Sequence, residues 1–218
     1  MSQSLELADH ATRDDLRVYL ERLAKAGEPE VRIASRGGAL AVYGCTQAPE
    51  GLLDEAPVVL VMRAFALSAA PAARLDETVQ ARALLDRLAR MGLVGLRLEL
   101  PDATVASAWA GVLPPTGGWE PVGALDAPSL AEAARQGIER IAAALPESPG
   151  DAVVRAVRRE VWGAEVAPGV PAAAAFAAEA LGFLREEREA RLARSLTWLR
   201  LSTGRGHVLV RGPRGSMG

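Results

Sequence analysis

An alanine-rich stretch, Ala172 to Leu184, is the feature that most constrains the fold of the C-terminal half. Every residue from Ala172 to Ala178 is alanine except Phe176. Pro171 precedes the stretch and suits the first turn of a helix, and alanine has the highest helix propensity of all residues. Because this stretch has almost no polar face, we predict a helix that packs closely in a hydrophobic core or a subunit interface.

The elements around this helix form a recognisable order. Apolar residues at helical spacing predict helices over 129–145 and 151–163. After the alanine-rich helix, strands are predicted over 196–202 and 207–211, on either side of the tip Thr203-Gly204-Arg205-Gly206. Three helices followed by a β-hairpin resemble a winged helix-turn-helix, so we expect a winged-helix-like C-terminal half.

The N-terminal half has a different pattern. Helical spacing of apolar residues predicts helices over 12–26 and 76–91. Residues 31–45 alternate around Gly37-Gly38, which indicates a β-hairpin, and residues 58–67 and 93–100 are predicted as further strands. This half is therefore predicted to be a small layered αβββαβ unit, and the whole chain to be of the α+β class.

Three segments follow from these patterns. We predict a small α+β domain over residues 1–125, a winged-helix-like domain over 126–211 and a disordered tail over 212–218. The 218 residues are 50% hydrophobic and 24% charged, which is typical of a globular protein. A chain of this length can bury a core without disulfide bonds.

Charge and hydropathy argue against several classes of partner. The net charge of −2 does not favour general binding of nucleic acid or of a membrane surface. The longest apolar runs, such as residues 57–62, are far shorter than the roughly 18 residues that span a bilayer. The first ten residues lack the apolar core of a signal peptide, and a single cysteine fits a reducing compartment. We expect a cytoplasmic protein without a membrane partner.

The sequence gives little support for catalysis. It contains no phosphate-binding loop, dinucleotide-binding glycine pattern, nucleophile elbow or zinc motif, so we expect no catalytic residue, metal or cofactor. Cys45 and His207 could form a thiol–imidazole pair, but nothing in the sequence brings them together, and the reactivity of Cys45 is open. Arg63 interrupts an apolar strand and is expected to face solvent, unless a carboxylate or a phosphate pairs with it. Whether the protein is an enzyme stays open, with the weight of the sequence against it.

The leading hypothesis is a non-catalytic protein-interaction or scaffold module, forming a homodimer or binding a protein partner. The alanine-rich helix lacks the polar groups that read base edges and the cations that bind phosphates. Its apolar residues Phe176 and Leu181 are the candidate contact residues. Trp119, which follows a rigid Pro-Pro-Thr-Gly-Gly turn, is a third candidate.

Two alternatives remain open. A transcriptional regulator of winged-helix type would bind nucleic acid through basic residues on the second helix and on the hairpin tip, namely Arg155, Arg158, Arg159 and Arg205. Nucleic acid is not the favoured partner. The other alternative is a small-molecule-binding protein with a pocket between its two halves.

Overall fold

A computed structural model describes residues 3–51, 54–71, 74–92 and 94–212. The chain divides into two compact units. Unit 1 comprises Met1–Cys45 and Met62–Leu113, and unit 2 comprises Thr46–Val61 and Pro114–Gly218. The residues that the structure describes form five α-helices and a large, mainly antiparallel sheet, in agreement with the predicted α+β class.

Unit 1 contains two helices, four complete strands and parts of two more. In chain order these are β1 (Ser4–Glu6), α1 (His10–Ala26), β2 (Glu30–Arg36), β3 (Ala39–Gln47), β4 (Val58–Ala66), β5 (Asp76–Gln80), α2 (Ala81–Arg90) and β6 (Arg97–Glu99). Strands β2 to β5 form a sheet in the order β5, β2, β3, β4, and β2 is antiparallel to both β3 and β5. Strand β1 pairs with β6, also antiparallel.

The core of unit 1 follows from the apolar spacing of α1. Asp9 caps this helix by accepting a hydrogen bond from the backbone amide of Thr12 at 2.7 Å. The buried residues Leu16, Tyr19, Leu20 and Leu23 all lie on one face of α1. The Tyr19 hydroxyl donates to the carbonyl of Val42, so the one polar group on this face is satisfied.

Unit 2 contains three helices and six further strands. They are β7 (Glu120–Asp126), α3 (Ala127–Ala144), α4 (Asp151–Gly163), β8 (Glu165–Ala167), β9 (Val170–Pro171), α5 (Ala172–Ala180), β10 (Glu189–Ser195), β11 (Trp198–Thr203) and β12 (Gly206–Arg211). Its sheet has the order β4, β12, β11, β10, β7, in which residues 58–61 of β4 belong to this unit. From β12 through β11 and β10 to β7, each strand is antiparallel to the next.

Helix α5 is the buried centre of unit 2. All of its residues from Ala172 to Ala178 are buried except Phe176, which is partly exposed. The helix packs against α3 and β12, both within the same unit. The alanine-rich helix predicted from the sequence is thus observed, shortened at its C-terminal end, and it lies in the core.

Nearby, Gly137 of α3 lets Trp162 of α4 approach closely. A Cβ at position 137 would lie 2.3 Å from the Trp162 ring. The same indole packs on Phe176, with ring centroids 4.7 Å apart.

The winged-helix expectation is wrong. The hairpin formed by β11 and β12 does not stand alone, because β10 pairs with β11 and β7 pairs with β10. In the sequence, residues 185–189 resemble a charged linker. In β10, Ala190 and Leu192 are buried and alternate with exposed residues, but the arginines of this strand make the alternation hard to recognise from the sequence. A hairpin that is part of a wider sheet cannot act as a free wing.

Unit 1 differs from the predicted pattern in two smaller respects. Residues 76–80 form β5 and only 81–90 form α2, whereas a single helix was expected from Asp76. Residues 4–6 form β1, which pairs with β6, although the polar start of the chain has no periodicity that indicates a strand. Residues 213–218 of the predicted tail lie outside the described part of the chain, and the domain boundary at residue 125 stays a prediction.

Candidate partner-binding site

A cavity of about 650 Å³ lies within unit 2. Several parts of the chain form its walls: the end of β3, the chain before β4, the C-terminal end of α4 with the following β8–β9 hairpin, the turn between β10 and β11, and the end of β12. Apolar side chains supply much of the lining, from Ala56, Pro57, Pro168, Pro171, Trp198, Leu199 and Val210. Polar and charged groups also line it, from Gln47, Glu55, Arg159, Glu165, Arg194 and Thr197.

Tight turns hold two of these walls. Gly169 has a φ of +72° between β8 and β9, a conformation that glycine adopts without steric cost. Leu196 has a φ of +51° in the two-residue turn between β10 and β11, and its side chain is 79% exposed. A large apolar side chain held in this unusual conformation at the cavity mouth is a feature that secondary-structure patterns do not reveal.

An ion pair holds the segment before β4 to α4. The Nε of Arg159 lies 3.3 Å from a carboxylate oxygen of Asp54. The backbone amides of Glu50 and Ala56 donate to the same carboxylate. The Glu50 amide contributes most to lowering the pKa of Asp54, and Arg159 lowers it further. These contacts fix the position of the cavity wall formed by residues 55–57.

Three of the four arginines proposed for nucleic-acid binding form ion pairs with carboxylates. Arg155 and Arg159 of α4 pair with Glu50 and Asp54, respectively. Arg205 at the hairpin tip pairs with Glu186, with a nitrogen-to-oxygen distance of 2.6 Å, and also donates to the carbonyl of Arg185. Arg158 is exposed on α4. Carboxylate partners reduce the charge that Arg155, Arg159 and Arg205 present to an external phosphate.

The three predicted protein-contact residues lie in different surroundings, and none of them lines the cavity. Leu181 is buried in the core of unit 2, with 1% of its surface exposed. Phe176 packs against Trp162. The indole nitrogen of Trp119 donates to the carbonyl of Pro115 at 3.0 Å, and the guanidinium of Arg200 lies over its ring at 4.3 Å from the centroid.

The two residues considered for a catalytic pair belong to different units. Cys45 is buried in unit 1, whereas His207 belongs to unit 2. Within the described ranges, no group of three or more His, Cys, Asp or Glu side chains is arranged to hold a metal ion. In the same part of the chain, no helix combines the length and the apolar character needed to cross a membrane.

Solved structures with a similar fold come from sliding clamps. The DNA polymerase sliding clamp of Caulobacter crescentus has a TM-score of 0.51 at 13% identity. The clamp of Pseudomonas aeruginosa, DNA polymerase III subunit beta, solved bound to griselimycin, has a TM-score of 0.52 at 16% identity. Both matches cover 100% of this chain and 66% of the clamp, so the chain spans just under two thirds of their length. At this low identity the likeness shows the fold alone. The similar folds are those of sliding clamps and not of winged helices.

Sequence comparison adds the family. No curated protein matches the chain. Residues 114–215 match the family model described as Domain of unknown function (DUF8185). Residues 1–111 match the model described as Domain of unknown function (DUF8010), and this match spans more than half of the 218 residues. The chain belongs to the DUF8010 family.

Proposed function

We propose that this protein is a non-catalytic binding protein with a clamp-like fold, and that it holds a short segment of a partner protein in the cavity of unit 2. The observation that carries the proposal is the cavity itself. Its volume of about 650 Å³ falls within the range of roughly 300–1,000 Å³ that is typical of ligand sites.

The lining of the cavity favours a peptide over a strongly charged ligand. Pro57, Trp198 and Leu199 offer apolar surface to hydrophobic side chains. Glu55 and Glu165 are balanced by Arg159 and Arg194, so the site has no strong net charge. A short segment with apolar side chains and a polar backbone matches both properties.

The similar structures support the proposal in general terms. The Pseudomonas aeruginosa protein is the beta subunit of DNA polymerase III, and it has been solved with griselimycin bound. A clamp-like fold can therefore serve as a binding platform. The homodimer and the cytoplasmic location predicted from the sequence remain proposals. The contact surface that we propose is the cavity, in place of the buried helix α5.

A selection from a random peptide library tests this proposal, because it samples many short segments at once and requires no chosen partner. Peptides enriched on the wild-type protein are then titrated by fluorescence anisotropy against wild type and Thr197→Arg. Thr197 is exposed in the β10–β11 turn and lines the cavity, so an arginine there obstructs the site without replacing a core residue. We expect the substitution to weaken binding at least about tenfold, equivalent to a loss of about 1.4 kcal/mol.

The control is Ala142→Arg, which adds the same side chain at an exposed position of α3 outside the cavity lining. This variant should bind the selected peptides as the wild type does. Equal binding to Thr197→Arg and wild type, or a selection without any enriched peptide, would contradict the proposal.

A further inference from the structure

A second cluster of polar groups lies on the sheet of unit 2, outside the lining of the cavity. Arg191 of β10 stands opposite Ser202 of β11, and Ser202 stands opposite His207 of β12. Arg200 precedes Ser202 by two residues on β11 and therefore faces the same side of the sheet. We refer to Arg191, Arg200, Ser202 and His207 as the oxyanion cluster.

The cluster lies on the face of the sheet opposite Phe183. A Cβ built on Gly206 would lie 2.5 Å from the ring of Phe183, so the side-chain direction at position 206 points to Phe183. Because successive residues of a strand point to opposite faces, His207 projects to the other side. Arg191 is exposed on that side, and His207 and Arg200 are partly exposed.

Arg200 has a buried donor that lacks a hydrogen-bond acceptor among the described residues. Its guanidinium is stacked over Trp119, which fixes its position. Its Nε is buried, and no acceptor for it exists among the described residues. The ion pairs found within the described ranges include neither Arg191 nor Arg200. A buried charged donor without an acceptor is costly, and such groups require an explanation.

The neighbouring groups are fixed close to one another. The Nδ1 of His207 and the Oγ of Ser202 form a hydrogen bond of 2.9 Å. Burial is the main cause that lowers the pKa of His207 to about 4, and the nearby guanidinium groups of Arg200 and Arg191 contribute to the same shift. Burial and Arg191 likewise lower the pKa of Arg200. Two guanidinium groups, a hydroxyl and an imidazole thus lie near one another on one face of the sheet.

We infer that the oxyanion cluster binds a phosphate group, carried either by free phosphate or by a nucleic-acid backbone. Guanidinium groups donate paired hydrogen bonds that match phosphate oxygens. Ser202 adds a hydroxyl, and Trp119 holds Arg200 in place. A carboxylate is a weaker match, because it has only two oxygens for donors that converge from three strands.

Proton NMR of the imidazole rings tests the inference. The chain has two histidines, and His10 lies in unit 1, so its resonance serves as an internal control. Inorganic phosphate is titrated at constant ionic strength into wild type, Arg191→Gln and Arg205→Gln. Arg205 is the matched control, because it is an arginine of the same unit that already pairs with Glu186.

Saturable movement of the His207 resonance with phosphate is expected, without movement of His10. Arg191→Gln should weaken this binding by about tenfold, the loss expected for one charge-assisted hydrogen bond, and Arg205→Gln should not. A second titration with a single-stranded oligonucleotide separates the two sources of phosphate. Tighter, Arg191-dependent binding of the oligonucleotide would assign the site to nucleic acid, and binding of inorganic phosphate at least as tight would assign it to free phosphate.

Three results would overturn the inference. These are no saturable shift of His207 with either probe, equal binding by Arg191→Gln and wild type, or binding of acetate as tight as that of phosphate. The inference does not depend on the cavity. Thr197→Arg is expected to retain phosphate binding, and Arg191→Gln is expected to retain the selected peptides, so each proposal can fail without the other.

Discussion

Acidification should destabilise the protein through His207. Burial is the main reason that the pKa of this imidazole falls from 6.5 to about 4 in the folded protein, with Arg200 and Arg191 adding to the effect. Between these two pH values the unfolded chain binds a proton at this site and the folded chain does not. The free energy of unfolding should therefore be highest above pH 6.5, fall as the pH decreases and level off below pH 4. The difference in pKa corresponds to a loss on the order of 3 kcal/mol.

Urea denaturation of wild type and His207→Gln across this pH range measures the effect. Carboxylates titrate in both proteins, so the difference between the two free energies of unfolding isolates the histidine. Relative to the variant, the wild type should lose stability as the pH falls. A difference between wild type and His207→Gln that stays constant with pH would refute the reasoning.

Two core substitutions test the packing of unit 2. Gly206→Ala should destabilise the protein by about 1–3 kcal/mol, because the residue has a φ of +157° and the new Cβ would meet the Phe183 ring at 2.5 Å. Leu181→Ala should cost about 2–5 kcal/mol, since Leu181 is buried in the core. Thermal and urea unfolding measure both, and wild-type stability of either variant would contradict the described packing.

Local signals in the sequence predicted local structure well. The helix expected from Asp151 to Gly163 is observed as α4. The hairpin of residues 31–45 is observed as β2 and β3, and Gly37 adopts the positive φ that its turn requires. In these elements the caps, apolar spacing and turn residues all lie within a few positions of one another.

The strands that decide the architecture depend on distant partners. Strand β7 is exposed over most of its length and has no apolar alternation, and it exists because β10 pairs with it. Because the sequence patterns did not predict β7 and β10, the remaining helices and hairpin resembled a winged helix. Single-sequence patterns do not encode such pairing, because the stabilising contacts come from residues far along the chain.

The environment of charged side chains was equally hard to predict. Arg63 was expected to face solvent unless a carboxylate or a phosphate paired with it, and the alternative is observed, because Arg63 forms an ion pair with Asp15 of α1. The cavity was not predicted, because its walls come from several separate parts of the chain, some of them loops. Trp119 stays a candidate contact residue, and its stacking with Arg200 could not be predicted without the fold of the sheet.

The most direct test of the central claim is a map of where a selected peptide binds. Backbone amide NMR spectra of the protein with and without the peptide would report the affected residues. The largest changes are expected in the cavity segments, such as Thr197, Glu165 and Gly169, and little change is expected at Ala142. Changes centred elsewhere, with the cavity residues unaffected, would contradict it.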